Sequence, residues 1–215
     1  MRWSLFADIL RVGAIGSLNT LSTTLTVALT TGLVGAAAGP AGIAGYGAGS
    51  RLEFLLIPLV FGLGSPLIAM VGANVGAGQR ERALRIAMVG GAVAFVLTEA
   101  IGLAAAIWPQ GWIGLFGDDK GMLSTGANYL TCVGPAYGFF GLGLSLYFAS
   151  QGANRVMWPL VGGIVRLVVA AGGGALALML TGSLTAVFAM LGLALVIYGL
   201  VVASAVASGV WFRKG

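Results

Sequence analysis

Long apolar runs, separated by short polar connections, repeat along the whole chain. Each run is long enough to cross the hydrocarbon core of a bilayer as a helix, which takes about 20 residues. Strands of a membrane barrel would alternate apolar and polar positions over about ten residues, and no such alternation is sustained. The pattern predicts an all-α integral membrane protein with six transmembrane helices, at residues 9–33, 43–71, 84–108, 127–149, 159–180 and 185–212.

Glycine, proline and polar residues mark the connections between these runs. They cluster around Pro40, Gln79, Asp118, Asn154 and Ser183. Three further prolines lie inside predicted helices, where each removes a backbone hydrogen bond and favours a kink. These are Pro58 and Pro66 in the second helix and Pro135 in the fourth.

The composition agrees with a lipid environment. Of the 215 residues, 59% are hydrophobic and 8% are charged, and the mean hydropathy is +1.02, whereas soluble domains are about one quarter charged. Lysine and arginine outnumber aspartate and glutamate by 11 to 6, but they lie mostly in the short connections and not in one exposed patch. We therefore expect membrane lipid around the protein and no nucleic-acid partner.

The distribution of basic residues predicts the topology. If the N-terminus is cytoplasmic, Lys120 is the one basic residue of the outer connections, beside Asp118 and Asp119. The inner side receives Arg2, Arg11, Arg80, Arg82, Arg85, Arg155, Arg213 and Lys214. The positive-inside rule then predicts a multi-pass protein of the cell membrane with both termini in the cytoplasm.

Histidine is absent, and Cys132 is the only cysteine. Ser-His-Asp catalysis, HExxH zinc sites and histidine proton relays are therefore excluded. No constellation of nucleophile and base remains. We expect neither an enzyme nor a cofactor.

Four charged residues fall inside the predicted helices and away from their ends: Arg51, Glu53, Glu99 and Arg166. Each costs about 2.5–3.5 kcal/mol at a helix centre, so each needs a partner, a water-filled cavity or a function. Glu53 lies about 15 Å from the start of the second predicted helix, counted at about 1.5 Å per residue, and transporters bind their substrates near the middle of the bilayer. Glu53 is a candidate proton or sodium carrier, and the alternative is a structural partner of an arginine.

Two groups of polar and aromatic residues could line a transport path. Asn19, Thr23, Thr26 and Thr30 recur at helical spacing and form a polar stripe that should face the protein interior. The stripe predicts either the lining of a cavity or a hydrogen-bonded seam between helices. Tyr137 and Tyr147 of the fourth predicted helix could offer aromatic faces to an organic cation, or could serve packing alone.

Three stretches closely resemble one family. They read GYGAGSRLEFLLIPLVFGLG, then PLIAMVGANVGAGQRERALRIA, then VGPAYGFFGLGLSLYFASQGANRVMWPLVGGIVRL. They resemble the MATE (multidrug and toxic compound extrusion) transporters, and the match is to the last six helices of a family member. Residues 1–215 would then form a single six-helix lobe.

The resemblance implies a function for that lobe. It implies export of drugs or small organic cations driven by H⁺ or Na⁺ entry, by alternating access between two lobes. Glu53 corresponds to the acidic position of the RLEF motif, and we also predict substrate or ion contacts for Arg51, Asn19, Thr23, Tyr137 and Tyr147. The chain would need a second six-helix lobe or a homodimer partner. Alternatives are a flippase lobe for a lipid-linked precursor, with Arg51 and Arg166 as its cations, and a membrane assembly subunit without transport.

Overall fold

The computed structural model describes the backbone of residues 3–212, and the side chains of that range apart from residues 3–12, 15 and 19. Eight α-helices occur in this range, and no strand. They are α1 (Trp3–Gly76), α2 (Arg80–Ile107), α3 (Pro109–Ile113), α4 (Lys120–Val133), α5 (Tyr137–Gly152), α6 (Met157–Leu167), α7 (Gly174–Thr181) and α8 (Leu184–Ala207). A 3-10 turn, Gly134–Ala136, joins α4 to α5, and a π-helical turn, Val168–Gly173, joins α6 to α7.

Helix α1 contains the first two predicted transmembrane helices. Its backbone is helical throughout except at Gly39, where φ is +64° and ψ is −159°. Only glycine adopts this conformation readily, and Pro40 follows it directly. The chain therefore turns at one residue into two arms, which we call the first arm (residues 3–38) and the second arm (residues 40–76).

The two arms fold back on each other. Thr23 and Thr26 of the first arm line the same cavity as Ser50 and Glu53 of the second. These residues lie at similar distances along the chain on either side of Gly39, as expected for an antiparallel helical hairpin. Five helical stretches within the described residues are long and apolar enough to cross a membrane, the first being Gly16–Gly76. Because that stretch holds both arms, the number of crossings is six, and the predicted all-α membrane fold is confirmed.

The prolines inside predicted helices differ in whether they interrupt the helix. Helix α1 continues as a helix through Pro58 and Pro66, whereas Pro135 lies in the 3-10 turn that divides the fourth crossing into α4 and α5. Glycines allow the backbones to meet at this division. A Cβ atom on Gly102 of α2 would overlap the carbonyl oxygen of Gly134.

The fourth crossing is the centre of the bundle. Of the 18 consecutive residues that are most apolar in this crossing, about two thirds are buried, a larger share than in the other described crossings. At one end it packs with the second arm and α8 through Leu56, Leu130 and Phe188. At the other end, Leu146 packs with a second cluster that contains Val71. The first arm is held more loosely, with a stripe of exposed leucines at Leu18, Leu21, Leu25 and Leu29.

Candidate functional site: a charged pair at an internal cavity

A cavity of about 110 Å³ lies between the two arms, α4, α5, α6 and α8. Among the described residues that line it, two are charged, Glu53 and Arg166. The remaining polar lining consists of hydroxyl groups, from Thr23, Thr26, Tyr46, Ser50, Tyr129 and Tyr198. The cavity therefore combines apolar walls with one ion pair and several hydroxyl groups, and has no net formal charge. It lies between helices that are long enough to span a membrane.

Glu53 and Arg166 form a salt bridge across this cavity. Nη2 of Arg166 donates to Oε1 of Glu53 at 2.5 Å, and the side chains are 11% and 16% exposed for the arginine and the glutamate. The arginine also lies over the ring of Phe140, 5.4 Å from its centroid. Each charge thus has a counter-ion inside the bundle, as the cost of isolated intramembrane charges requires.

The second carboxylate oxygen of Glu53 has a phenolic partner. Oη of Tyr129 donates to Oε2 at 3.3 Å. The Tyr129 ring packs edge-on against Tyr46 and Phe188, with centroids 5.3 and 5.4 Å away. These aromatic contacts hold the phenol beside the carboxylate, so Glu53 is bound on both oxygens by groups from different helices.

Helical spacing explains why the second arm supplies so much of the lining. Tyr46, Ser50, Glu53 and Ile57 follow one another at intervals of four, three and four residues, which places them on one face of a helix. All four line the cavity. Arg166 lies in the last turn of α6, just before the π-helical turn at Val168–Gly173. Such turns are often found at functional sites in helices.

The hydroxyl stripe of the first arm faces inward. Thr26 and Thr30 are 3% and 0% exposed, and each donates to the carbonyl four residues earlier in its own helix. Thr23 lines the cavity, and Oγ of Ser22 donates to the carbonyl of Gly163 in α6 at 3.0 Å. Thr23 and Thr26 of the stripe therefore line the cavity, and the neighbouring Ser22 bonds the first arm to α6. The side chain of Asn19 lies outside the described residues.

The other predicted site residues lie apart from Glu53. Arg51 is exposed, with its guanidinium 5.1 Å from the ring centroid of Phe116. Tyr137 is fully buried in the core and does not line the cavity. Tyr147 lines a separate recess against the first arm, close to Gly16. Of the six predicted site residues, the structure brings together Glu53 and Thr23.

Glu99, the last of the four charged residues predicted away from helix ends, has a different environment. Its Oε2 accepts a hydrogen bond from the backbone N–H of Gly138 at 2.7 Å. That N–H belongs to the first turn of α5, where backbone donors lack helical partners. Glu99 therefore caps the helix that restarts after the 3-10 turn. No group of three or more His, Cys, Asp or Glu side chains that could hold a metal ion occurs in the described part of the chain.

Sequence reasoning missed most of the residues that line the cavity with Glu53. Tyr46 and Ser50 could have been found from their helical spacing relative to Glu53. Tyr129 and Tyr198 carry no such signal, because they come from other helices far along the chain. An arginine partner was one of the two expected roles of Glu53, but the sequence does not indicate that the partner is Arg166, because the pairing spans 113 positions.

Comparison with known proteins identifies the family. The family model MatE matches residues 16–176, which is most of the chain. The chain belongs to the MatE family. The predicted resemblance is therefore confirmed.

Curated and solved relatives agree with the MatE assignment. A FAD transporter of Shewanella oneidensis is 31% identical over 127 residues, which cover 59% of this chain and 28% of that protein. The structure of the MATE transporter ClbM in complex with Rb⁺ has a TM-score of 0.87 at 16% identity, covering 97% of this chain and 50% of that one.

An outward-facing multidrug resistance MATE transporter also has a TM-score of 0.87, at 18% identity. It covers 99% of this chain and 49% of that one. The chain thus spans about half the length of these solved relatives and has the fold of one lobe.

Proposed function

We propose that the chain is one lobe of a secondary transporter that exports drugs or small organic cations in exchange for protons or sodium ions. The observation that carries the proposal is the salt bridge between Glu53 and Arg166 at a cavity inside the helical bundle. Intramembrane ionisable pairs at cavities are typical of ion and substrate paths. Membership of the MatE family supports the same reading.

The chemistry of the pair suggests how exchange would work. A proton or a sodium ion that binds Glu53 competes with Arg166 for the carboxylate, and so does a cationic substrate. Binding of ion and substrate is then mutually exclusive, which is the requirement for antiport. The rings of Tyr46 and Tyr129 line the same cavity as the carboxylate, where aromatic rings could contact an organic cation.

The cavity is too small to be the whole substrate site. At about 110 Å³, it falls below the roughly 300–1,000 Å³ of pockets that enclose drug-sized ligands. We therefore infer that the site is completed by a second six-helix lobe or by a second copy of this chain. Both termini are predicted on the same side of the membrane, so two copies could associate in parallel about an axis along the membrane normal.

A second candidate substrate class is an aromatic organic anion. The 31% identity to a FAD transporter favours it, and so does the guanidinium of Arg166 among the cavity's aromatic residues. An anion would bind Arg166 and displace Glu53, the reverse of the cation mechanism. The two substrate classes are separable because each depends on a different member of the pair.

Transport into inverted membrane vesicles tests the function. Ethidium and FAD are supplied outside vesicles with an imposed proton or sodium gradient, and accumulation is followed by fluorescence. Cation export predicts gradient-driven ethidium accumulation that Glu53→Gln abolishes, whereas Asp118→Asn, an exposed carboxylate of an outer connection, leaves it unchanged. FAD accumulation without ethidium accumulation would support the anion reading instead.

Two other outcomes would contradict transport of either class. Movement of a lipid-linked precursor across the bilayer, without accumulation of ethidium or FAD, would indicate a flippase. No movement of any substrate by the full assembly would indicate an assembly subunit. Equal ethidium accumulation by wild type and Glu53→Gln would assign Glu53 a structural role only.

A further inference from the structure

A groove of about 1080 Å³ lies between the second arm and α2, at the end where these helices join. Leu67 and Met70 of the second arm form one wall, and Ile86 and Val89 of α2 form the other. Gly90 closes the deep end, since even a Cβ atom there would come within 2.6 Å of the Leu67 side chain. The walls are apolar, and the groove is larger than the roughly 300–1,000 Å³ of typical ligand pockets.

The mouth of the groove is cationic. It is lined by Arg80, Arg82 and Arg85, with Glu81 as the one carboxylate among the described lining residues. Three guanidinium groups against one carboxylate leave a formal charge of +2. Among the described side chains, none of these arginines forms a salt bridge with an acidic group. Arg80 lies over the ring of Phe212 at 5.2 Å.

The order of residues along α2 places the cationic mouth and an apolar wall of the groove on the same helix face. Arg82, Arg85, Ile86 and Val89 follow one another at intervals of three, one and three residues, and so share one face of the helix. That face is cationic in the first turns of α2 and apolar deeper in the bundle. Gln79 accepts a hydrogen bond from Arg82 at 3.5 Å, a weak contact that leaves the guanidinium exposed. The matching ligand has an anionic head beside a long apolar chain.

We propose that this groove binds an anionic phospholipid, with its phosphate at Arg82 and Arg85 and one acyl chain along Leu67, Met70 and Val89. Basic pockets between transmembrane helices commonly bind anionic lipid headgroups. Charge complementarity selects the headgroup, and the apolar walls select a chain over a free phosphate. The site is separate from the Glu53 cavity and does not depend on the proposed transport.

Native mass spectrometry of the purified chain in detergent tests the proposal, with dioleoyl phosphatidylglycerol and dioleoyl phosphatidylcholine as probes. Each basic residue near a lipid surface contributes about 1 kcal/mol to the binding of anionic lipid, so two arginines predict about a 30-fold preference for phosphatidylglycerol. The Arg82→Gln/Arg85→Gln variant should lose most of that preference. The Arg82→Lys/Arg85→Lys variant should keep it, because the charge is retained.

Arg155→Gln is the matched control, since it removes an exposed arginine from another connection on the same predicted side. It should keep the preference. Equal binding of the two lipids by wild type, or an equal loss of preference in Arg155→Gln, would overturn the site in favour of general charge attraction.

The groove itself has a separate test. Met70→Trp fills it and should weaken binding of both lipids by a similar factor, whereas millimolar glycerol phosphate, a headgroup without chains, should displace neither. Displacement by glycerol phosphate would show a phosphate site without a lipid. Unchanged lipid binding in Met70→Trp would place the acyl chain elsewhere and contradict the proposal.

Discussion

Breaking the salt bridge between Glu53 and Arg166 should destabilise the fold, and removing both charges together should cost little more than removing one. We choose Glu53→Gln and Arg166→Met, which approximate the volume of each side chain, and the variant that combines them. Glu53→Gln retains an acceptor for Tyr129 but leaves the guanidinium without its counter-ion. Arg166→Met leaves a carboxylate whose described hydrogen-bond partner is Tyr129 alone.

The magnitude follows from the burial of the pair. Unit charges about 4 Å apart interact by about 4 kcal/mol at an effective dielectric constant of about 20. Breaking a buried pair costs about 3–5 kcal/mol. Since the two side chains keep 11% and 16% of their exposure beside a cavity, we expect about 3 kcal/mol for each single variant. The combined variant should also lose about 3 kcal/mol, which gives a coupling energy of about 3 kcal/mol.

The chain carries its own reporter for this measurement. Cys132 is the only cysteine and is half-buried at the contact of α4 with α8, with its Sγ 4.0 Å from the carbonyl oxygen of Thr185. A thiol-reactive fluorophore therefore labels it when the bundle opens on heating. A loss of about 3 kcal/mol corresponds to a fall of about 6–12 °C in Tm for a chain of this size.

Asp118→Asn is the control, because Asp118 is exposed. It should change stability by no more than about 0.5 kcal/mol. Additive losses in the combined variant would refute the reasoning, since additivity means that the two residues do not interact. Losses below about 1 kcal/mol in both single variants would also refute it, because the pair would then behave as an exposed one.

Three further predictions use the same protein. Gly45→Ala should lower Tm by several degrees, because a Cβ atom there would overlap the Met122 carbonyl oxygen. Gly47→Ala should leave Tm unchanged, because a Cβ atom there meets nothing within 4 Å. Equal Tm values for the two variants in thermal unfolding would contradict this packing. Glu99→Leu should lose about 1–2 kcal/mol of stability with the cap on α5, and Glu99→Gln should lose less; equal losses by thermal unfolding would show that the cap contributes nothing. In a Cys132→Ser background, Arg80→Cys should react with an impermeant thiol reagent in inverted vesicles but not in intact cells, and labelling of intact cells would reverse the topology.

The crossings could be predicted because lipid imposes their length. Runs of about 20 apolar residues are required to span the bilayer, so the six helices are visible in the sequence. The position of the connection between the first two was visible too, but its shortness was not. A turn or loop was expected around Pro40, and Gly39 makes a turn there with one positive φ angle, but the helix continues directly on both sides of it.

The site was predictable only in part. Glu53 and Arg166 are both visible as charges that lipid does not tolerate, and the structure gives each a partner. Their pairing was not visible, because it depends on how the second arm packs against α6. Arg51 lies two residues from Glu53, yet its side chain contacts Phe116 on another surface. Tyr137 is an aromatic residue of the kind that binds cations, but it is buried in the core. The residue type alone does not reveal which face of the helix points toward the cavity.

Competition between ions and substrate at Glu53 is the central claim, and equilibrium binding of ethidium tests it most directly. The protein is reconstituted in nanodiscs in its assembled form, and ethidium affinity is measured by fluorescence over a range of pH and of sodium concentration. The account predicts that ethidium binding weakens as protons or sodium ions are added to the wild type, and that Glu53→Gln binds ethidium more weakly and without this dependence. Ion-dependent ethidium binding that is unchanged in Glu53→Gln would contradict it.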